Sequence, residues 1–393
     1  MLEVGNFMAG PFCAMQLADL GADVIKIETP AGGDIVRSSA PFVSGESSNF
    51  IRLNRNKRSL AVDLKHARGK ELFERLAKSV DVVVENLRPG AMARLNLDYA
   101  HLRDLNPRLI YVAASGWGQD GPLAELPGLD IMAQSRSGLM SITGEPDGDP
   151  VKVGVPICDL VCALYGALAA VSALAARERT GQGQLIDVSL FESAMSLAVW
   201  EAGKYFATKE VPVRRGSAHQ NSAPYQALRA SDGWFTAGAT TPRNWVGFCR
   251  ALGLERLQSD PRYRDANVRL ENRRNLIEEI EAITRVKPAE HWIRHLEAEG
   301  VPCAPLQNFG QSFNDPHLLA RDFFWDAPHA TIGSVRQLGS PMRFSTTKVC
   351  RRKAGPLLGE DTRDVLRELG CADHEIDSLL SAGVIGEPQR ARS

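Results

Sequence analysis

Apolar positions along the chain fall into short β-rich runs separated by helical stretches. Residues 23–28, 59–64, 81–85, 108–114 and 184–190 each form a short, largely apolar run that predicts a strand. Met1–Val4 reads as a strand that has lost its beginning. Helices are expected at about 9–20, 69–78, 99–105 and 191–205. Strands alternating with helices predict an α/β fold with a doubly wound, mostly parallel sheet. In such a sheet ligands bind beyond the carboxyl ends of the strands, so the loops after Glu28, Glu85 and Ala114 are the ones to inspect. The longest apolar run, Leu160–Ala176, is rich in alanine and is expected to form a helix buried on all sides. Asp159 stands at its head, the one charge between Lys152 and Arg177.

The pattern changes after about Lys209. Residues 226–239 alternate around Asp232-Gly233 and predict a hairpin. Residues 244–252, 268–283 and 289–299 predict helices. A short helix is expected at 315–321, a β-rich stretch at 323–349 and a helix at 361–369, with the last ten or so residues frayed. The implied organisation is a large α/β domain over 1–200, a linker over 201–221, a smaller α+β domain over 222–305, and a return segment over 306–393 that completes the large domain.

Composition narrows the function classes. The net charge of −1 gives no electrostatic reason to expect a nucleic acid or an anionic membrane as partner. The cysteine count of seven is odd and there is no CxxC, which reads as free thiols in a reducing compartment; a cytoplasmic protein is expected. No basic n-region followed by an apolar h-region opens the sequence, so a secretory signal is not expected. The 160–176 run is the one membrane candidate, but it is slightly short, begins at an aspartate and is richer in alanine than in leucine, so a core helix is the expectation.

Asp159 has two compatible readings. A carboxylate at a helix start caps free N–H groups and is stabilised by the helix dipole. The same anion can attack an activated acyl group. Gly5 and Gly10 lack the spacing of a dinucleotide fingerprint, which argues against a nicotinamide cofactor. His291 and His295 lie four apart on a helix without a third ligand, so no metal site is expected. Arg37, Arg88 and the cluster containing Lys57 and Arg58 could pair with phosphates, or could be solvated surface cations. Asn86 opens the loop that holds Arg88.

Seven ordered stretches converge on one family. They are residues 9–11 (AGP), 20–28 (LGADVIKIE), 54–59 (NRNKRS), 84–90 (VENLRPG), 116–122 (GWGQDGP), 138–144 (GLMSITG) and 356–359 (PLLG). The chain resembles the class III CoA-transferases, the family of formyl-CoA transferase and carnitine CoA-transferase. Residues 216–219 (GSAH) with 224–226 (PYQ) look closest to the succinate–hydroxymethylglutarate CoA-transferase branch. The resemblance implies a two-domain subunit, an interlocked homodimer, and several more residues ahead of Met1. It also implies Asp159 as nucleophile. The carboxylate would attack the donor thioester to give a mixed anhydride and CoA thiolate; the thiolate would then return to form an aspartyl-CoA thioester, and an acceptor carboxylate would run the sequence in reverse. The CoA thioester is thus a substrate, with no permanently bound cofactor. By the same resemblance Arg37, Lys57, Arg58, Asn86 and Arg88 are expected at the CoA nucleotide, and the loop from Gly216 to His219 over the acyl group.

The expected substrates are succinyl-CoA or a similar donor and a small carboxylic or dicarboxylic acceptor. A second carboxylate needs a cation, because burying it unpaired is costly; Arg136 and Arg215 are the candidates. The same-fold alternative is a 2-methylacyl-CoA racemase. Racemases of this fold carry histidine where this chain has Leu129. An NAD-dependent oxidoreductase is the alternative of a different class.

Overall fold

The computed structural model describes residues 1–388 and divides them into two units. The first comprises Met1–Leu139, Lys152–Gly203 and the residues from 319 onward. The second comprises Met140–Val151 and Lys204–Leu318.

The first unit is built on a seven-stranded sheet. Its strands are β1 (Leu2–Val4), β2 (Val24–Glu28), β3 (Lys57–Val62), β4 (Val82–Glu85), β5 (Ile110–Ser115), β6 (Leu185–Ser189) and β7 (Ile385–Gly386). They lie in the order β7-β3-β2-β1-β4-β5-β6, and every pair is parallel except β7 on β3. Apart from β7 this is the doubly wound order, whose direction of winding reverses between β1 and β4. Both faces are covered, so β1, β2, β4 and β5 are buried along their whole lengths. One face holds Leu60, Phe73, Val83 and Leu102 together with Leu366, Ile376 and Leu379 from the far end of the chain. The other packs Val84, Ile110 and Val112 against Cys13, Ala163, Ala167 and Ala170.

The Ile157–Thr180 helix corrects the expectation of burial on all sides. Its alanine face is buried on the sheet, and Gly166 lets the Cys13 sulfur and a Val112 methyl come within 3.3 Å of where a Cβ would sit. The opposite face exposes Leu164, Tyr165, Leu168 and Val171, with Leu168 62% exposed. The helix is long and apolar enough by composition to cross a membrane, yet its alanine face packs against this sheet.

Other boundaries shifted for local reasons. The expected helix over 268–283 is two, Ala266–Glu271 and Arg273–Thr284. Asn272 stands between them, and its side-chain amide joins its own backbone N–H in donating to the Val268 carbonyl. The helix expected at 191–205 is also two, Leu190–Ser196 and Val199–Thr208, and nothing in the structure explains that break. Part of the expected linker, up to Thr208, is therefore helical. The tail is not frayed up to residue 388: the Asp373–Ser381 helix and β7 close the β3 edge. The remainder of the tail lies outside the described residues.

The second unit packs the hairpin Tyr225–Ala230/Gly233–Gly238 and the Cys303–Pro305 strand against the helices Pro242–Leu252, Arg273–Thr284 and Ala289–Ala298. Phe235, Phe248, Leu276, Ile280 and Leu296 form its core. Residues 140–151 belong to it because Gly216 N–H donates to the Gly144 carbonyl at 2.9 Å and Arg214 donates to that of Gly148.

Candidate active site

Three strand ends of the first unit converge where the winding reverses. The loop after β1 (residues 5–8), the loop after β4 (86–90) and the turn after β5 (115–116) border a cavity of about 580 Å³. Asn86 ties the first two together. Its Oδ1 accepts the Asn6 N–H at 2.9 Å and its Nδ2 donates to the Asn6 carbonyl at 2.8 Å. Gly10 is required beside this clamp, since a Cβ there would lie 2.8 Å from Asn86 Oδ1. Phe7 follows in the left-handed region at φ 68°, a conformation costing a non-glycine residue about 1 kcal/mol. Asp34 helps hold it, accepting the Phe7 N–H at 3.2 Å.

Asp34 belongs to a buried ionic network. Lys26 lies 2.9 Å from Asp34 and 2.7 Å from Glu3, and Lys57 lies 2.7 Å from the other Glu3 oxygen. Burial works against the Lys26 charge, but Glu3 and Asp34 outweigh it and push its pKa up. Burial pulls Lys57 down to about 8 in spite of Glu3. Lys57 also donates to Asn54 Oδ1 and the Pro11 carbonyl and has no exposed side-chain surface. It therefore braces the sheet, which corrects the expectation of a nucleotide contact. Arg58, at the start of β3, sits toward the opposite end of the sheet from these loops. It pairs there with Asp23 and Glu368, so the same correction applies to it. Arg37 grips Glu28 through two nitrogens, at 2.8 and 2.7 Å, and its guanidinium lies 3.7 Å from the Phe50 ring centroid; it does not line the cavity.

Asp159 does line it. The side chain is only 8% exposed and, among the described residues, makes no hydrogen bond or ion pair. The N-cap of its helix is Pro156, so Asp159 occupies the third helical position and does not cap. The N–H of Cys158 is taken instead by Asp130 Oδ1 at 2.9 Å. Gln134 holds the other Asp130 oxygen at 2.7 Å and accepts the Val153 N–H at 2.8 Å, which ties the incoming loop to the same carboxylate. Burial, then the nearby Asp130 charge, push the Asp159 carboxyl up to about 7. A carboxylate so placed is unusually basic for its type, as suits a nucleophile or a general base.

Arg88 is exposed and borders the same cavity, and its side chain has no hydrogen-bond or ion-pair partner among the described residues. Lys152 borders it too and was passed over in the sequence, where it marked only the charge before the apolar run. Glu85 lies at the base of the β4 loop. Burial raises it to about 7, although its Oε2 accepts the Leu87 N–H at 2.7 Å. Gly116 and Gly128 face each other across the rim; a Cβ on Gly116 would sit 2.9 Å from the Gly128 Cα.

The remaining expected residues are not gathered here. Arg136 ends the Asp130–Arg136 helix, exposed, 5.9 Å over the Trp117 ring and outside the cavity lining. Arg215, Gly216 and His219 belong to the second unit. There the His219 ring stacks on Tyr225 at 4.8 Å, and Gly216 adopts φ 59°. His291 and His295 stand 4.2 Å apart between ring centroids, and no group of three metal-ligating side chains occurs among the described residues.

The description "CoA-transferase family III" matches residues 1–362. The chain belongs to that family. Among its relatives, the succinyl-CoA:glutarate CoA-transferase of Homo sapiens is 36% identical over 389 residues, covering 98% of this chain and 89% of the relative. The succinyl-CoA:mesaconate CoA-transferase of Haloarcula hispanica is 37% identical, covering 94% and 95%. A solved CAIB/BAIF family protein from Brucella suis superposes with a TM-score of 0.85 at 37% identity, covering 94% of this chain and 97% of that one. The present chain is thus a family III CoA-transferase, and its sheet has the mixed α/β, mostly parallel architecture of those neighbours.

Proposed function

We propose that this CoA-transferase moves CoA between succinyl-CoA and a small dicarboxylate, with Asp159 as the covalent nucleophile. The observation that carries the reading is the Asp159 carboxylate, buried without a hydrogen bond on the wall of the cavity at the switch of the sheet. Relatives named for succinyl-CoA and glutarate or mesaconate support the substrate class. The carboxylate attacks the thioester carbonyl, releasing CoA thiolate and leaving an aspartyl anhydride. The thiolate attacks the aspartyl carbonyl, the donor acid leaves, and the acceptor carboxylate reverses both steps. Splitting one exchange into these steps lowers each barrier. Arg88, exposed and unpaired, is suited to a CoA phosphate, and Lys152 places a second cation on the same wall. The testing experiment is a panel of acyl-CoA donors against acceptor acids, with products read by mass spectrometry. Preference for hydrophobic monocarboxyl donors over succinyl-CoA would sink the substrate class. An unchanged Michaelis constant for dicarboxylates in both Arg136→Met and Arg215→Met would remove those two arginines as carboxylate holders.

The attacking species is the anion, so the pKa of about 7 has a signed consequence. Turnover rises as pH climbs through about 7 and falls roughly tenfold per unit below it. Asp130→Asn keeps an acceptor for Cys158 N–H and deletes the like charge, so the midpoint should move to lower pH. A pH–rate profile of both proteins checks this; an unmoved midpoint contradicts it.

The racemase alternative requires a proton carrier on each face of the substrate α-carbon. Leu129 cannot supply one. No deuterium should enter C2 of a 2-methylacyl-CoA in heavy water, and exchange at the rate of transfer would overturn this.

We also assign the exposed face of the Ile157–Thr180 helix to a homodimer contact. Leu164, Leu168 and Val171 continue toward Leu197, Val199 and Trp200, and the Tyr165 hydroxyl meets Ser196 at 2.9 Å between the two groups. A soluble monomer seldom exposes so many large apolar side chains together. Sedimentation at micromolar concentration tests the contact, and an active monomer refutes it.

A further inference from the structure

A second cavity of about 350 Å³ lies in the first unit beside the Asp159 cavity. The two share Phe7 and Met8, and Leu160 lines this one while its neighbour Asp159 lines the other. The walls are largely apolar, with Phe12, Met15, Val36 and Leu53 facing the space. Two arginines also border it. Arg55 is neutralised by Asp19 at 2.6 Å. Arg52, on the short Ser48–Leu53 helix, is different. Its Nη1 donates only to the Ser48 carbonyl and hydroxyl of its own helix, and it has no carboxylate partner among the described residues. Burial pulls its pKa down with no acid to offset the loss.

We infer that this cavity receives the far end of a dicarboxylic acyl group, and that Arg52 binds its free carboxylate. The inference rests on the transfer reading above and adds the residue that selects the substrate. An acid joined to Asp159 through one carboxyl directs its methylenes past Phe7 and Met8 into apolar surroundings. Its second carboxylate then needs a cation among those apolar walls. A guanidinium with unused, coplanar N–H groups meets a carboxylate through two hydrogen bonds, which an ammonium cannot reproduce. Arg52 is the cation lining this cavity that no acid among the described residues already occupies. A monocarboxylic acid that lacks only the far carboxylate would meet the same apolar walls and leave the arginine unpaired, so the site favours dicarboxylates over monocarboxylates.

Two acceptors in competition isolate the effect. Glutarate and butyrate, offered together with one succinyl-CoA donor, meet the same enzyme intermediate. The ratio of glutaryl-CoA to butyryl-CoA therefore reports the acceptor step alone. In Arg52→Met the ratio should fall at least tenfold below that of the unaltered enzyme, and Arg52→Lys should recover part of it. A ratio within twofold of the original in Arg52→Met overturns the assignment. A parallel measurement needs no variant. Glutarate, and not butyrate, should slow phenylglyoxal modification of Arg52, read by peptide mapping; equal rates with and without glutarate overturn the assignment equally. Failure of the unaltered enzyme to form either acyl-CoA would instead defeat the transfer reading on which this rests.

Discussion

Asp159→Ala is expected to abolish CoA transfer, lowering turnover by at least about a thousandfold, while the fold persists. The side chain makes no hydrogen bond among the described residues, so its removal breaks no structural tie there. Incubation of the unaltered enzyme with an acyl-CoA donor should leave CoA attached at Asp159, releasable by hydroxylamine; activity retained in the alanine variant ends the assignment. The same placement predicts a gain in stability. Burial raises the Asp159 carboxyl to about 7, so its proton helps the folded state at low pH and that help is lost as pH rises through 7. Asp159→Asn removes this penalty. The variant should exceed the unaltered protein at pH 8 by on the order of 2 kcal/mol, at ~1.4 kcal/mol per unit of raised pKa with allowance for relaxation. Below about pH 4 the two should be equal. Thermal melts at both pH values decide it, and an asparagine variant less stable than the original at pH 8 contradicts the account.

Lys26→Met should be the most destabilising single change in the first unit, costing about 3–5 kcal/mol. Lys26 is wholly buried between Glu3 and Asp34 and donates to the Gly5 carbonyl. Methionine fills a similar volume but leaves two carboxylates with fewer cations than charges. Asp34 also holds the Phe7 N–H in its strained conformation, so the loop between the two cavities should loosen with it. Adding Asp34→Asn to Lys26→Met restores charge balance while keeping an acceptor, and the double variant should be more stable than the single. Denaturant titration of the three proteins checks both statements; an additive or worse double variant refutes the electrostatic origin.

How much of this was legible depended on how far apart the interacting residues lie in sequence. The parallel sheet, and the loops beyond Glu85 and Ala114 as the place for a ligand, followed from short, largely apolar local runs. Asp159 stood out because a lone charge before a long apolar run is locally conspicuous, while its expected role as nucleophile came from the family resemblance. Lys57 and Arg58 were misplaced because a basic cluster reads as surface unless its partners are known. Those partners, Glu3, Asp23 and Glu368, lie 35 to 310 residues away. The full extent of burial of the Ile157–Thr180 helix was illegible for another reason. An apolar periphery suits both a core and a contact between subunits, and composition does not separate them. Arg52 gave no sequence signal, since an unpaired cation is defined by which acids fail to reach it.

The first sheet draws its edge from the end of the chain, and this bears on how the protein is made. β7 at Ile385–Gly386 adds to β3, while Leu366, Ile376 and Leu379 seal the face over Leu60 and Phe73. Synthesis runs from the amino end, so β1 to β6 emerge with part of their apolar face uncovered. The second unit, whose core draws on residues 223–301, can fold on the ribosome before those closing residues exist. The unit that carries Asp159 is thus the last to become protease-resistant in a nascent chain, and a ribosome stalled near codon 340 should display a folded inserted unit on an unfinished sheet.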